Sequence, residues 1–270
     1  MPKNHPELCV TSDSFDAVLF DLDGVLTATA EVHAAAWKKT FDEYLQKRAA
    51  KSGESFQPFD TDGDYGLYVD GKPRYDGVRS FLDSRGIRLP DGDPGDPPDR
   101  ETVCGIGNRK EELVVKTIET EGVKVYEGSV AWVRQLRGAG IKTAVVSSSK
   151  NTLAVLKAAG IDRLFDVRVD GHVVEDQGLP GKPAPDTYLH AAALLGVSPR
   201  RAVVVEDALS GVKAGKNGGF GLVIGVDRKG HADALLENGA DLVVTDLRLA
   251  PQPSCPPASR AGGETFLDLP

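Results

Sequence analysis

Short apolar runs that end in polar residues recur along this chain, and they constrain its fold more than any other feature. They are AVLFDLD at 17–23, TAVVSSS at 143–149, AVVVEDA at 202–208, GLVIGV at 221–226 and DLVVTD at 241–246. Continuous runs of Val, Ile and Leu suit strands buried on both faces, as in a parallel sheet covered by helices. Longer stretches with helical spacing separate most of them. The sequence therefore predicts an α/β fold with a Rossmann-like parallel sheet.

One long interval breaks this alternation. The stretch from about residue 28 to residue 140 opens with a helical pattern, EVHAAAWKKTFDEYL, and then contains few strand-like runs. It is far longer than an ordinary connection between two strands, so we interpret it as an inserted, mainly helical domain. The predicted boundaries are 29–125 for the insertion and 15–28 with 126–250 for the core. Residues 1–14 and 251–270 are expected to be tails.

Composition narrows the possible partners and location. The 270 residues are 40% hydrophobic and 27% charged, as in ordinary globular proteins, and the net charge of −8 gives no general footprint for nucleic acid or anionic lipid. No run approaches the roughly 18 apolar residues of a membrane span, and the N-terminus lacks a signal-peptide layout. We expect a cytoplasmic monomer or small homo-oligomer without nucleic-acid or membrane partners. Cys9, Cys104 and Cys255 lack the spacing of a zinc site or a disulfide framework.

The residues that end the apolar runs are unusually polar. Ligands of open parallel sheets bind outside the carboxyl ends of the strands, so these residues are candidates for chemistry. Because strand side chains alternate, two carboxylates two positions apart can point to the same side. The candidates are Asp21 and Asp23 after the first run, Ser147, Ser148 and Ser149 after the second, Lys182 in GKPAPD after a weaker strand, and Glu206 and Asp207 after the run at 202–208.

This set combines several carboxylates with hydroxyl groups and one lysine at a single sheet edge. Oxygen ligands of this kind suit Mg²⁺, which takes a few carboxylates together with substrate phosphate. The lysine and a hydroxyl would hold the remaining phosphate oxygens. The sequence thus predicts a magnesium-assisted site for a small phosphorylated substrate.

Four motifs in this order, DLDGVLT, VVSSS, GKPAPD and EDALSG, resemble those of the haloacid dehalogenase superfamily of phosphotransferases. The resemblance implies that Asp21 is a nucleophile that forms an aspartyl phosphate and that Asp23 is the general acid and base. It implies phosphate binding by Ser147, Ser148 and Lys182. The implied magnesium ligands are Asp21, the backbone carbonyl of Asp23, Glu206 and Asp207.

A narrower resemblance, carried by TATAEVHAAAW, SSSKN and KPAPD, is to the β-phosphoglucomutase branch, which has a helical cap after the first motif. It implies conversion of β-glucose 1-phosphate to glucose 6-phosphate, with the cap cations Arg79 and Lys110 holding the second phosphate. By the same resemblance, His33 either couples cap closure to substrate binding or gates Asp23. Trp37, Ser149 and Asn151 would belong to the substrate site. The chain departs from the branch at Ala28, where the mutases have an acidic residue, and in a longer segment at 60–73.

Other interpretations remain open at this stage. If water accepts the phosphoryl group, the enzyme is a sugar-phosphate phosphatase of the same superfamily. A receiver-like phospho-acceptor uses similar residue types, but it carries its acceptor aspartate on the third strand. The cap residues have simpler interpretations of their own. His33 shares a helix face with Trp37 and Phe41, and the alternative to a functional role is a packed histidine. For Arg79 and Lys110 the alternative is a solvated surface charge.

Overall fold

The computed structural model describes residues 10–228 and 230–250. Its centre is one six-stranded sheet with the order β3-β2-β1-β4-β5-β6, in which every neighbouring pair is parallel. The strands are β1 (Ala17–Phe20), β2 (Lys142–Val146), β3 (Val167–Val169), β4 (Ala202–Glu206), β5 (Leu222–Val226) and β6 (Leu242–Val244). The predicted α/β, Rossmann-like class is confirmed.

An insertion with helices of its own follows β1, and we call it the cap. It comprises α1 (Thr29–Ser52), a π-helical turn (Tyr65–Val69), α2 (Arg74–Ser84) and α3 (Val103–Glu121). Its buried core is aromatic, with the rings of Phe41 and Phe81 centred 4.2 Å apart, and is distinct from the two cores that flank the sheet. This agrees with a mainly helical insertion, whereas the boundaries at 29 and 125 stay a prediction.

The remaining helices cover the two faces of the sheet. They are α4 (Glu127–Gly138), α5 (Thr152–Ala158), α6 (Gly171–Asp176), α7 (Asp186–Leu195), α8 (Leu209–Asn217) and α9 (Ala232–Glu237), with single 3₁₀ turns at Asp162–Leu164, Pro199–Arg201 and Leu247–Leu249. One face packs against α4 and α5 and the other against α7, α8 and α9. Alternating strand residues serve the two faces: Phe20 faces the first core and Leu19 the second.

The two connections between sheet and cap run side by side. The amide of Ala28 donates to the carbonyl of Lys124 and the amide of Tyr126 to the carbonyl of Leu26, both at 2.9 Å. Thr27 and Val125 form an antiparallel bridge between these bonds. The cap is thereby held over the carboxyl ends of the strands by one paired connector.

The predicted tails and two of the three cysteines fall mostly on residues that the structure does not describe. The predicted tails fall largely on residues 1–9 and 251–270, which also hold Cys9 and Cys255, and these lie outside the described residues. Cys104 is buried as a free thiol in the cap. Within the described ranges, none of the helices has the length and apolar character needed to cross a membrane.

Candidate functional site

The strand ends bring Asp21, Lys182 and Glu206 together as the sequence predicts. Lys182 Nζ lies 2.5 Å from Asp21 Oδ1 and 2.6 Å from Glu206 Oε1, and it also donates to the carbonyl of Val146 at 3.2 Å. All three charged side chains are buried. In one detail the structure differs from the sequence analysis: the GKPAPD loop does not directly follow β3, because α6 lies between them.

Burial and charge oppose each other at this triad. Burial disfavours the charged lysine, but Asp21 and Glu206 outweigh it and raise the pKa of Lys182 above its ordinary value, so the ammonium is kept. Burial raises the pKa of Asp21 well above its usual range; Lys182 counteracts this, while Glu206 and Asp23 add to it. The site therefore holds more negative charge than its single lysine neutralises.

A divalent cation fits this excess of negative charge. Asp21, Glu206 and Asp207 each offer a carboxylate oxygen, and these oxygens lie within 4.8 Å of one another. Gly24, with φ of 90°, lets the loop after β1 approach Asp207, because a Cβ atom there would collide with that carboxylate. The donor set is of the all-oxygen type that Mg²⁺ prefers.

Glu206 accepts hydrogen bonds from four protein donors. Its Oε1 accepts hydrogen bonds from Lys182 and from the hydroxyl of Tyr188 at 2.9 Å. Its Oε2 accepts from the backbone amides of Asp207 and Ala208, each at 3.1 Å. Both oxygens are thus engaged by protein donors, so Glu206 fixes Lys182 beside Asp21.

Asp23 is contacted by both the core and the cap. Its Oδ1 accepts a short hydrogen bond from the hydroxyl of Thr29 and lies 3.6 Å from Nε2 of His33. Its Oδ2 lies 3.5 Å from the hydroxyl of Ser147, which follows β2. The sequence analysis missed Thr29; its place in the first turn of the cap's first helix, six residues after Asp23, was the available signal.

His33 and Lys110 are buried together next to Asp23. Lys110 Nζ lies 2.7 Å from His33 Nδ1 and 5.3 Å from the centre of the Trp37 ring. Burial and then the Lys110 charge lower the pKa of His33 to about 4, and burial lowers the pKa of Lys110 to about 8. Lys110 is therefore buried and not a solvated surface charge, and His33 contacts both Lys110 and Asp23.

A cavity of about 470 Å³ separates the sheet edge from the cap. Asn151 does not line it, but its side-chain amide donates to Glu111, which does, at 2.5 Å. The hydroxyl of Ser149 accepts from the backbone amide of Asn151 at 3.1 Å. The predicted site residues that line the cavity are Asp21, Asp23, His33, Trp37, Arg79, Lys110, Ser147, Ser148, Ser149 and Asp207.

Two arginines of α2 line the same cavity and differ in their partners. The guanidinium of Arg79 is paired with Asp91 at 2.7 Å and Asp76 at 2.9 Å, and 43% of its side chain is exposed. Arg74, which the sequence analysis did not single out, begins the helix and lies 3.4 Å from Glu111. Arg74 is only 20% exposed, so it is the more enclosed of the two cations.

Known proteins resemble this chain over most of its length. Residues 15–219 match the family model described as haloacid dehalogenase-like hydrolase. The chain is 53% identical over 234 residues to a β-phosphoglucomutase of Mycobacterium tuberculosis, covering 86% of this chain and 89% of that relative.

Solved structures show the same fold. The β-phosphoglucomutase of Clostridium difficile aligns with a TM-score of 0.66 and 26% identity over 87% of this chain and 92% of its own. CbbY of Rhodobacter sphaeroides, in complex with xylulose 1,5-bisphosphate, aligns with a TM-score of 0.63 and 26% identity over 87% and 96%.

Proposed function

Because this chain belongs to the haloacid dehalogenase-like hydrolase family, in its β-phosphoglucomutase-like branch, we propose that it is a magnesium-dependent β-phosphoglucomutase. The proposed reaction converts β-glucose 1-phosphate to glucose 6-phosphate through an aspartyl phosphate. The similarity to β-phosphoglucomutases supports this substrate. A cytoplasmic monomer or small homo-oligomer stays a prediction from the sequence.

In the first half-reaction, the carboxylate of Asp21 attacks the phosphorus of a bound phosphate ester. The bond between phosphorus and the departing sugar oxygen breaks, and that oxygen takes a proton from Asp23. Lys182, fixed by Glu206 beside Asp21, and the hydroxyl of Ser147 bind oxygens of the transferring group. In the second half-reaction a sugar hydroxyl gives its proton to Asp23 and takes the phosphoryl group from Asp21.

The proposed magnesium ligands are Asp21, Asp207 and the backbone carbonyl of Asp23. Glu206, the fourth predicted ligand, lies beside them, but both of its carboxylate oxygens accept hydrogen bonds from protein donors. When bound, the ion would offset the repulsion between the Asp21 carboxylate and the phosphate oxygens. Burial raises the pKa of Asp21 and so disfavours the ionised carboxylate that acts as nucleophile. A cation bound beside Asp21 would oppose this shift and favour the ionised form.

One observation carries the choice of a mutase over a phosphatase: the cap supplies partners for the acid and base. Thr29 and His33 both belong to α1, and both contact Asp23. Asp23 therefore has its Thr29 and His33 partners when the cap lies over the site. A covered site excludes water as a competing acceptor.

The second phosphate of a bisphosphate intermediate needs a cation in the cap. Arg79 and Lys110 were predicted for this role, but Arg79 already binds two carboxylates and Lys110 binds His33. We assign the role to Arg74, which lines the cavity and forms an ion pair, among the residues that the structure describes, with Glu111 alone at 3.4 Å. Its guanidinium can bind phosphate in a bidentate manner.

The proposal is tested with β-glucose 1-phosphate, magnesium and a catalytic amount of glucose 1,6-bisphosphate. Phosphorus NMR shows glucose 6-phosphate and free phosphate in one sample, and glucose 6-phosphate is the expected main product. If free phosphate is the only new product, the enzyme is a sugar-phosphate phosphatase of the same family.

A further inference from the structure

A short cap segment lies against three loops of the core. Residues 70–73, which we call the strap, connect the π-helical turn to α2. The hydroxyl of Ser148 donates to the carbonyl of Gly71, and the hydroxyl of Ser210 donates to the carbonyl of Asp70, both at 2.8 Å. The Pro73 ring packs so closely on Gly181 that a Cβ atom there would collide with it.

These three contacts fall next to the groups proposed for catalysis. Ser148 follows Ser147, Gly181 precedes Lys182, and Ser210 stands in the first turn of α8, three residues after Asp207. The strap therefore lies across the loops that carry the proposed phosphate-binding and metal-binding residues. Its position is tied to that of the reacting groups.

The conformation of the strap is adapted to this close approach. Gly71 has φ of +70°, which residues with a side chain rarely adopt. A Cβ atom at Gly71 would also collide with the hydroxyl of Ser210 and lie 3.2 Å from the Cβ of Ala208. A glycine is needed here for both the turn and the contact.

We propose that Ser148 and Ser210 are positioning residues that hold the strap closed over phosphorylated Asp21 and thereby decide between sugar and water as acceptor. This inference rests on the proposed function. A hydroxyl has one proton to donate, and both serines direct it to strap carbonyls. The hydroxyl of Ser148 thus serves the cap, which differs from the phosphate-binding role that the family resemblance implies for it.

Loss of a serine hydroxyl changes the hydrogen bonding of the strap carbonyls of Asp70 and Gly71. Without a serine donor, each carbonyl accepts a hydrogen bond from water instead. Asp70, Gly71 and Asp21 line the same cavity, so this water enters the space that holds the aspartyl phosphate. The water oxygen then forms a new bond to phosphorus, and the bond between phosphorus and Asp21 breaks. One water proton passes to Asp23, and inorganic phosphate is released. The Asn151–Glu111 hydrogen bond still joins core and cap, so the cap does not detach.

The test compares Ser148→Ala, Ser210→Ala and the double variant with Ser84→Ala. Ser84 is the matched control, because its hydroxyl donates to the carbonyl of Phe81 at 2.7 Å within the cap alone. Phosphorus NMR measures the ratio of glucose 6-phosphate to inorganic phosphate formed from β-glucose 1-phosphate. We expect each strap variant to lower this ratio about fivefold, the factor that corresponds to one hydrogen bond, and the double variant to lower it further.

Hydrogen exchange of peptides covering residues 65–75 provides an independent measurement. The strap variants should exchange faster there than the wild type and Ser84→Ala. One outcome separates the inference from the proposed function. If the wild type makes glucose 6-phosphate and both single strap variants give the same ratio of glucose 6-phosphate to inorganic phosphate as the wild type, the inference is wrong and the proposed function stands. If the wild type releases only inorganic phosphate, the proposed function fails and with it the choice of acceptor. Equal exchange in all variants would then also show that the serines do not hold the strap.

Discussion

Lys110 Nζ and His33 Nδ1 lie 2.7 Å apart, although the two residues are separated by 77 positions in the chain. An ammonium group only donates hydrogen bonds, so Nδ1 of a neutral His33 must be the acceptor. The ring proton then resides on Nε2, which faces Asp23. Lys110 thus selects the histidine tautomer that presents a donor to the proposed acid and base.

This relationship predicts a pH limit for catalysis. The pKa of Lys110 is lowered by burial to about 8, with Glu111 and Asp23 opposing the shift, so the ammonium is lost as the pH rises through that value. We expect conversion of β-glucose 1-phosphate to fall on the alkaline side of about pH 8. Lys110→Met should lower conversion at pH 7 by on the order of 10²-fold, the lower range of acid–base contributions, and should lose the alkaline limb. A rate profile between pH 6 and 10 checks both, and an alkaline limb that persists in Lys110→Met contradicts the assignment.

The nucleophile is tested by a change that keeps shape and removes charge. Asp21→Asn should abolish turnover and the acid-stable trapping of a phosphorylated protein, because the amide does not attack phosphorus. Asp16→Asn is the matched control. Asp16 directly precedes the first residue of β1, at the end of the strand away from Asp21, and pairs with Arg201 at 2.7 Å. Mass spectrometry after quenching with excess substrate detects the phosphoryl group. Turnover of Asp21→Asn near the wild-type rate would end the covalent mechanism.

Asp207 is expected to hold the metal. Asp207→Ala should weaken magnesium binding, measured by isothermal titration calorimetry, and should lower activity at limiting magnesium. Chelation of the wild type should abolish activity, and magnesium, but not calcium, should restore it. Full activity in excess chelator is the result that rejects a metal at this site.

The two arginines of α2 form a matched pair for the second phosphate. Arg74→Ala should lower conversion of β-glucose 1-phosphate by on the order of 10²-fold, since about 3 kcal/mol of transition-state positioning is lost. Hydrolysis of acetyl phosphate, which has no second phosphate, should change only a few-fold. Arg79→Ala should have a smaller effect on conversion, because Asp76 and Asp91 already hold that guanidinium. An equal loss in both variants, or a larger loss in Arg79→Ala, contradicts the assignment to Arg74.

The sequence predicts the sheet well, because burial on both faces leaves uninterrupted apolar runs such as 202–205. The polar residues that follow these runs, such as Asp21 and Glu206, lie at the carboxyl ends of the strands for the same reason. The runs do not predict the cap cations. Which arginine of α2 is the more enclosed depends on how that helix packs, and the helical spacing gives no signal that separates Arg74 from Arg79. The burial of Lys110 likewise depends on contacts between α3 and α1, which are distant in the sequence.

The strap illustrates the same limit. The segment at 60–73 is visible in the sequence only as an unusually long, turn-rich stretch. Its hydrogen bonds use backbone carbonyls of residues 70 and 71, and a carbonyl group is present at every position of a chain. Only the three-dimensional arrangement identifies the serines that contact it.

The paired connector has a further consequence for how such a protein can be changed. The chain leaves the core at Ala28 and returns at Lys124, and one hydrogen bond joins these two residues, so both covalent connections between core and cap lie at one place. The pairing of the sheet strands involves no residue between these two positions, and closing so small a gap costs little chain entropy. The cap is therefore an exchangeable module: another helical insertion grafted at the same two positions would present a different substrate surface to the same Asp21, Lys182 and Asp207.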